Sequence, residues 1–164
     1  MLKEKTFHNW ELLDEDALTL DEYYAQVESS LPKELSHYAL SVLKHWEYFM
    51  HYSDGIFDLI RELKQKGYKL YILSNITRHF INNAYKFPIL KEFDGIVYSA
   101  PIKMVKPNPE IYQYLLDKFN LVGNECLFID DTKTNLVGAT RFGIHTFHYQ
   151  SNTEELRNFI FQNN

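Results

Sequence analysis

The sequence of 164 residues predicts an α/β fold, in which a parallel, Rossmann-like sheet carries helices on both faces. From Asp54 onward, short runs rich in apolar residues alternate with segments of helical periodicity, which is the pattern of βα units. Unbroken apolar runs are typical of parallel strands that are covered on both sides. Residues 1–53 contain no such run and predict helices only. We therefore expect two parts, a helical segment over 1–53 and an α/β core over 54–164.

The helical segment carries clear helix signals. Thr19 to Glu22 form a capping box, since Thr19 can cap the helix and Glu22 can reach back to it. Pro32 suits the first turn of a second helix. Aromatic and aliphatic residues then recur at helical spacing, which predicts a stripe packed against another helix or, alternatively, an aromatic face that binds a ligand. This stripe consists of Tyr38, Val42, Trp46 and Phe49.

The α/β core is expected to contain alternating strands and helices in the order of the chain. The predicted strands are 70–73, 96–98, 126–129 and 145–149. The predicted helices are 54–66, 77–85, 109–119, 133–142 and 153–161. Gly67 is expected to close the first of these helices.

Composition and charge exclude several classes of function. The net charge of −5 argues against nucleic-acid binding, which needs a basic face. Cys126 is the only cysteine, so the chain has neither a disulfide framework nor a thiolate metal site, and we expect an inert, buried thiol. The sequence shows no signal peptide and no apolar window of about 18 residues. We therefore expect a cytoplasmic protein with no membrane partner.

Polar residues follow three of the predicted core elements. Ser74 and Asn75 come directly after one strand, Asp130 and Asp131 after another, and Lys106 lies in the loop after a third. Ligands of open parallel sheets bind beyond the carboxyl ends of the strands. The sequence therefore predicts one site that brings these side chains together.

Each of these residue types suits a phosphoryl ligand. Ser74 offers a hydroxyl donor backed by the N–H groups of the next helix, and Lys106 offers a positive charge. Asp130 and Asp131 are hard oxygen ligands of the kind that Mg²⁺ prefers. Taken singly, the serine could be a helix cap, the lysine a solvated charge and the aspartates an N-cap. Their joint occurrence at three strand ends favours the site.

Three strings of sequence stand at these positions. They are Leu73-Ser74-Asn75, Lys106-Pro107-Asn108-Pro109-Glu110-Ile111-Tyr112, and Phe128-Ile129-Asp130-Asp131-Thr132-Lys133-Thr134-Asn135 with Gly138-Ala139. Together they resemble motifs II, III and IV of the haloacid dehalogenase (HAD) superfamily, and most closely its small-metabolite phosphatases with a helical cap. The resemblance covers residues 19–150.

The resemblance implies roles for individual residues. Ser74, Asn75 and Lys106 would bind the phosphoryl group. Asp131 would bind Mg²⁺ directly, and Asp130 would assist through water or through contacts around the metal. Asn135 resembles the position that braces the acidic loop, and residues 19–53 resemble helices of the cap, which shapes substrate choice.

Motif I of the superfamily, an apolar strand ending in Asp-x-Asp, has no good counterpart here. Its first aspartate is the nucleophile and its second the general acid and base. Asp14 and Asp16 are weak candidates, because the preceding Phe7 to Leu13 is broken by polar residues. We expect Asp14 and Asp16 to lie in an exposed acidic loop, and the first strand and part of the cap to be absent from this sequence.

By resemblance, the absent strand would lie between the strands that end in Ser74 and Asp130. Unmade buried hydrogen bonds cost roughly 1–3 kcal/mol each, so a bare gap should be unstable. Three solutions are open. The two strands pair directly, another segment fills the gap, or Met1 is an internal methionine of a longer product. Exposed strand edges would also favour self-association.

The sequence thus predicts a HAD-like, Mg²⁺-dependent phosphatase of a small phosphorylated metabolite in its complete form, with little or no turnover as written. The main alternative is a non-catalytic, HAD-derived binding or regulatory protein. Haloacid dehalogenation is less favoured, because the Asp130-Asp131 pair indicates Mg²⁺ chemistry.

Overall fold

The structure is a computed structural model that describes residues 9–45 and 52–162. Every structural statement below refers to these residues. Trp46 and Phe49 of the predicted stripe lie outside them, as do Phe7 and His8.

The described residues of the N-terminal part form three helices, of which the sequence signals indicate the second and third. They are α1 (Trp10–Asp14), α2 (Leu20–Ser30) and α3 (Lys33–Lys44). The capping box at α2 is confirmed, since the Thr19 hydroxyl accepts from the Glu22 N–H while the Glu22 carboxylate accepts from the Thr19 N–H at 2.8 Å. Pro32 lies immediately before α3, at its N-cap. The short helix α1 was not predicted.

The predicted aromatic stripe on α3 does not form the buried face of that helix. The Tyr38 side chain is 65% exposed, whereas Ala39 and Leu43 are buried. These two residues pack with Tyr23 and Val27 of α2 in a separate apolar cluster. A small alanine at the contact lets the two helices approach closely, so the packed face is rotated by about one residue from the aromatic one.

The α/β part contains the predicted strands, each within one or two residues of its expected bounds. They are β1 (Tyr71–Ser74), β2 (Gly95–Tyr98), β3 (Leu127–Asp130) and β4 (His145–His148). The helices are α4 (Ile56–Gln65), α5 (Arg78–Asn83), α6 (Ser99–Ile102), α7 (Pro109–Phe119), α8 (Lys133–Thr140) and α9 (Thr153–Gln162). The 3₁₀ segments Ala84–Lys86, Pro88–Glu92 and Gly123–Glu125, and the short α6, were not predicted. None of the helices in the described ranges has the length and apolarity needed to cross a bilayer.

The strands form two separate parallel pairs. β1 pairs with β2, with Ser74 opposite Tyr98, and β3 pairs with β4, with Asp130 opposite His148. β1 and β3 are not hydrogen-bonded to each other, so direct pairing, one of the three solutions foreseen above, does not occur. The strand β3 is correspondingly open, with Ile129 37% exposed.

Helices cover both faces of these strands, as predicted. Neighbouring residues of a strand point to opposite faces, and Phe128 and Leu127 of β3 accordingly join different apolar clusters. The cluster on the Phe128 side contains α7 residues such as Ile111 and Tyr112. The cluster on the Leu127 side contains residues of α4 and α9.

The contact between α7 and α8 fixes the loop that follows β3. The buried Tyr112 hydroxyl donates to the Asn135 carbonyl oxygen at 2.8 Å. Gly138 makes this approach possible, because a Cβ atom there would lie 2.8 Å from the Tyr112 hydroxyl oxygen and 2.9 Å from the Pro107 carbonyl oxygen.

We expect Gly138→Ala to lower the free energy of unfolding by about 1–3 kcal/mol, because the added methyl group overpacks this contact. Urea denaturation measures the change. The matched control is Val137→Ala, whose side chain is 60% exposed on the same helix and whose effect should stay within about 0.5 kcal/mol. Equal effects of the two substitutions would contradict a close α7–α8 contact.

Candidate active site

The six site residues predicted from the sequence line one cavity of about 590 Å³. They are Ser74, Asn75, Lys106, Asp130, Asp131 and Asn135. The cavity lies where the carboxyl ends of β1 and β3 meet the loop that contains Lys106. The convergence follows from the parallel strands, whose carboxyl ends open toward the same edge.

A buried ion pair between Lys106 and Asp130 forms part of the cavity wall. The Lys106 Nζ atom is 2.7 Å from Asp130 Oδ2, and the two side chains are only 9% and 7% exposed. The other oxygen, Oδ1, accepts from the Thr132 N–H at 2.8 Å and from Asn135 Nδ2 at 3.1 Å. Both oxygens of Asp130 are therefore engaged by the protein.

The side chain of Asn75 holds the backbone of Lys106. Its Oδ1 atom accepts from the Lys106 N–H at 2.8 Å, and its Nδ2 atom donates to the Lys106 carbonyl oxygen at 2.9 Å. This pair of bonds joins the end of β1 to the lysine loop. The buried Ser99 hydroxyl adds a second brace, because it accepts from the Ile76 N–H at 2.8 Å. The geometry thus gives Asn75 a positioning contact, and its predicted contact with phosphate stays a prediction.

Asp131 differs from its neighbour in being exposed to the cavity. Its Oδ1 atom has one long contact, 3.3 Å from the Thr132 hydroxyl oxygen. Its backbone carbonyl oxygen accepts from His148 Nε2 at 2.9 Å, which fixes the loop after β3. The carboxylate is therefore available to a ligand, whereas that of Asp130 is not.

These residues fit a magnesium ion that keeps waters and ligand oxygens in its shell. Mg²⁺ is commonly held by one or two carboxylates together with phosphate oxygens. Asp131 can supply the direct contact, and Asp130 can act from behind it. Within the described ranges, no three acidic, histidine or cysteine side chains are already gathered as a complete metal-binding group. The site therefore suits a cation that a phosphoryl ligand helps to hold.

The expectation of an exposed acidic loop is wrong for Asp14. This residue ends helix α1, is only 8% exposed and lines the same cavity. Its Oδ1 atom has no hydrogen-bond partner in the described structure. Burial and then the charge of Glu11 raise the pKa of Asp14 to about 7, with Lys106 opposing and Glu15 adding to the shift. The expectation failed because α1 packs through Leu13 against Tyr23, which turns Asp14 inward.

Asp16, the other weak candidate, lies apart from the cavity. Its Oδ1 atom is 2.6 Å from Arg78 Nε, and this hydrogen bond lowers the pKa of Asp16. The two aspartates therefore do not act as a pair on one ligand.

Several cavity residues were not singled out from the sequence. They are Glu11, Glu15, Val105, Pro107, Asn108, Thr132 and Thr134. The threonines and Asn108 lie inside the strings quoted above, so their position was available. Glu11 and Glu15 are four apart, a spacing that places them on one side of a helix, but the five-residue α1 is too short for its periodicity to be recognised.

Comparison with known proteins identifies the family of this chain. The family model described as haloacid dehalogenase-like hydrolase matches residues 6–149. The chain belongs to the haloacid dehalogenase-like hydrolase family. The resemblance seen in the motifs is thereby confirmed, and the HAD fold explains the alternation of strands and helices.

Relatives in the family include phosphatases and dehalogenases. The chain is 27% identical over 130 residues to pyrophosphatase PpaX of Bacillus cereus, covering 78% of this chain and 60% of the relative. It is 30% identical over 140 residues to (S)-2-haloacid dehalogenase 4A of Burkholderia cepacia, covering 84% and 57%. The chain thus spans less than two thirds of either relative.

A HAD family enzyme of Bacteroides thetaiotaomicron, solved in complex with magnesium and inorganic phosphate, has a similar fold. The TM-score is 0.70 at 22% identity, and the match covers 90% of this chain and 79% of the other. This likeness concerns the fold.

The buried ion pair gives a prediction about stability. Asp130→Asn should lower the free energy of unfolding by about 3–5 kcal/mol, because it leaves the Lys106 ammonium buried without its counter-charge. Asp131→Asn is the matched control, since its exposed carboxylate has no ion pair with the described residues and its loss should change stability by less than about 0.5 kcal/mol. Denaturant unfolding of both variants measures the difference, and a small effect of Asp130→Asn would show that the pair is dispensable.

Proposed function

We propose that this chain is the phosphate- and Mg²⁺-binding part of a HAD-type phosphatase that acts on a small phosphorylated metabolite. The observation that carries the proposal is the gathering of Ser74, Lys106 and Asp131 around one cavity, with Asp130 fixed behind them. Ser74 and Lys106 would hold phosphoryl oxygens, and Asp131 would hold the metal. The magnesium and phosphate in the structure from Bacteroides thetaiotaomicron agree with such a ligand pair.

The charge of the cavity suggests that a cation would strengthen the binding of a phosphoryl group. Lys106 faces five carboxylates, those of Glu11, Asp14, Glu15, Asp130 and Asp131. A phosphoryl group placed among them would be repelled unless other charges compensate. Mg²⁺ would supply this compensation, and the carboxylate of Asp131 would hold it.

We further propose little or no turnover by this chain alone. A phosphatase of this type needs an unpaired carboxylate aimed at phosphorus. Of the carboxylates after the strands, Asp130 is bonded to Lys106, and Asp131 is assigned to the metal. Asp14 belongs to a helix and carries a raised pKa of about 7, which makes it a weaker nucleophile at neutral pH than an ionised aspartate.

The helical segment over residues 1–53 would serve as a cap that shapes access to the ligand. Its described helices have an apolar cluster of their own, formed by residues of α1, α2 and α3. Helix α1 nevertheless reaches the cavity through Glu11, Asp14 and Glu15. A segment that packs on itself and touches the site at one end is suited to select substrates.

A non-catalytic binding protein is the second candidate. It is favoured by a cavity that gathers Ser74, Lys106 and Asp131 as phosphate and metal ligands, while the described acidic residues that line it offer no good nucleophile. Both candidates bind a phosphorylated ligand, so turnover in a longer protein separates them.

We expect inorganic phosphate and Mg²⁺ to bind cooperatively to this cavity. We expect Mg²⁺ to increase phosphate affinity at least about tenfold in calorimetric titrations, because the ions reduce each other's repulsion in the cavity. Asp131→Asn should remove this enhancement, whereas Asp58→Asn, an exposed change on α4, should leave it intact. Phosphate binding that is indifferent to Mg²⁺ would exclude the proposed metal role.

We expect this chain with Mg²⁺ not to hydrolyse p-nitrophenyl phosphate above background. A longer chain, in which an apolar strand ending in Asp-x-Asp precedes residue 1, should hydrolyse it. Phosphatase activity of the present chain that is lost in Asp131→Asn would overturn the prediction of inactivity. If neither chain is active while phosphate still binds, the non-catalytic alternative is favoured.

A further inference from the structure

Asp14 is held in the cavity wall by the packing of its own helix. The preceding Leu13 is buried in the cluster with Tyr23, and the Trp10 and Tyr23 rings meet edge to face, with their centroids 5.6 Å apart. Helix α1 also packs against α6, whose residues Ser99–Ile102 carry no charge. The carboxyl group is therefore fixed, and its burial does not depend on a flexible loop.

One oxygen of the buried Asp14 carboxyl group lacks the partner that a buried charge requires. Its Oδ1 atom has no hydrogen bond within the described residues. Among the described residues, Lys106 is the only cationic side chain that lines the cavity, and its ammonium group already pairs with Asp130. A buried carboxylate without a counter-charge is costly, so such a group takes up a proton instead.

The surrounding charges act in the same direction. Glu11 on α1, Glu15 directly after it, and Asp130 and Asp131 on the β3 side are all acidic. Among the described residues that line the cavity, Lys106 alone opposes them. The pKa of Asp14, raised to about 7 by burial first and by Glu11 next, agrees with this balance. Tyr23 behind the helix remains neutral, since burial raises its pKa to about 12.

We infer that Asp14, carrying a proton, donates a hydrogen bond to an oxygen of the tetrahedral oxyanion held by Ser74 and Lys106. This inference rests on the proposed phosphate site. A neutral carboxylic acid is a donor, whereas the ionised form only accepts and would repel the anion. Binding of the oxyanion therefore favours uptake of one proton by Asp14. The protonation state of this contact residue then controls the affinity for the oxyanion.

Sulfate is the probe that tests this coupling, because its charge stays constant across neutral pH. Titrations in metal-free buffer avoid the competing effect of Mg²⁺ on the carboxylates. If the protonated form binds, affinity is constant below the pKa of Asp14 and falls above it, approaching about tenfold per pH unit. Calorimetry in two buffers of different ionisation enthalpy should show uptake of up to one proton per sulfate.

Two variants separate Asp14 from a general effect of charge. Asp14→Asn keeps a hydrogen-bond donor without the charge, so its sulfate affinity should not vary between about pH 6 and pH 8. Asp16→Asn, two residues away and outside the cavity, should retain the slope of the unmodified chain. A pH dependence of sulfate affinity that Asp14→Asn removes and Asp16→Asn retains is therefore due to Asp14.

The outcomes distinguish this inference from the proposed function. Sulfate binding that does not vary with pH, or a slope that persists in Asp14→Asn, overturns the role of Asp14 and leaves the phosphate site standing. Absence of sulfate binding at every pH also overturns the role of Asp14, and absence of phosphate binding in the presence of Mg²⁺ overturns the phosphate site as well.

Discussion

The ion pair between Lys106 and Asp130 is the contact on which the rest of the site depends. It links the loop after α6 to the end of β3, and thus joins two strand pairs that share no hydrogen-bonded ladder. Asn75 extends the link to β1 by binding the Lys106 backbone on both sides. A single chain of polar contacts therefore runs from one sheet to the other. Each pair of short strands would be only marginally stable without this link and the apolar clusters of the helices.

The same pair divides the two adjacent aspartates into different roles. Both oxygens of Asp130 accept hydrogen bonds from the protein, so its negative charge is compensated internally. Asp131, one residue further along the chain, points its carboxylate to the cavity with only a long contact to Thr132. A buried pair is weak evidence for stability as such, but breaking it is expensive. Its main effect here is to keep one acidic group fixed and the other available.

Local sequence signals predicted the strands, the capping box of α2 and the convergence of Ser74, Lys106 and Asp130. These features follow from short-range patterns and from the geometry of parallel strands, which is independent of fine packing. The burial of Asp14 and the exposure of Tyr38 could not be predicted in the same way. Both depend on how α1 and α3 pack against α2, where Ala39 and Leu13 decide the rotation of each helix. The hydrogen bonds of the Asn75 side chain could not be predicted either, because their partner is the backbone of a distant loop.

Among residues 9–45 and 52–162, no strand pairs with the second edge of β1 or of β3, and these edges connect the stability of the chain to its chemistry. Both strands are parallel and end at the cavity, with Ser74 and Asp130 as their last residues. A further parallel strand that paired with both would make backbone hydrogen bonds along its length and cover apolar side chains such as Ile129. Its last residues would then lie between the phosphate donors and the acidic loop. Completing the sheet and adding a group to the site are therefore the same structural event, so a gain in folding stability and a change in reactivity should arise together.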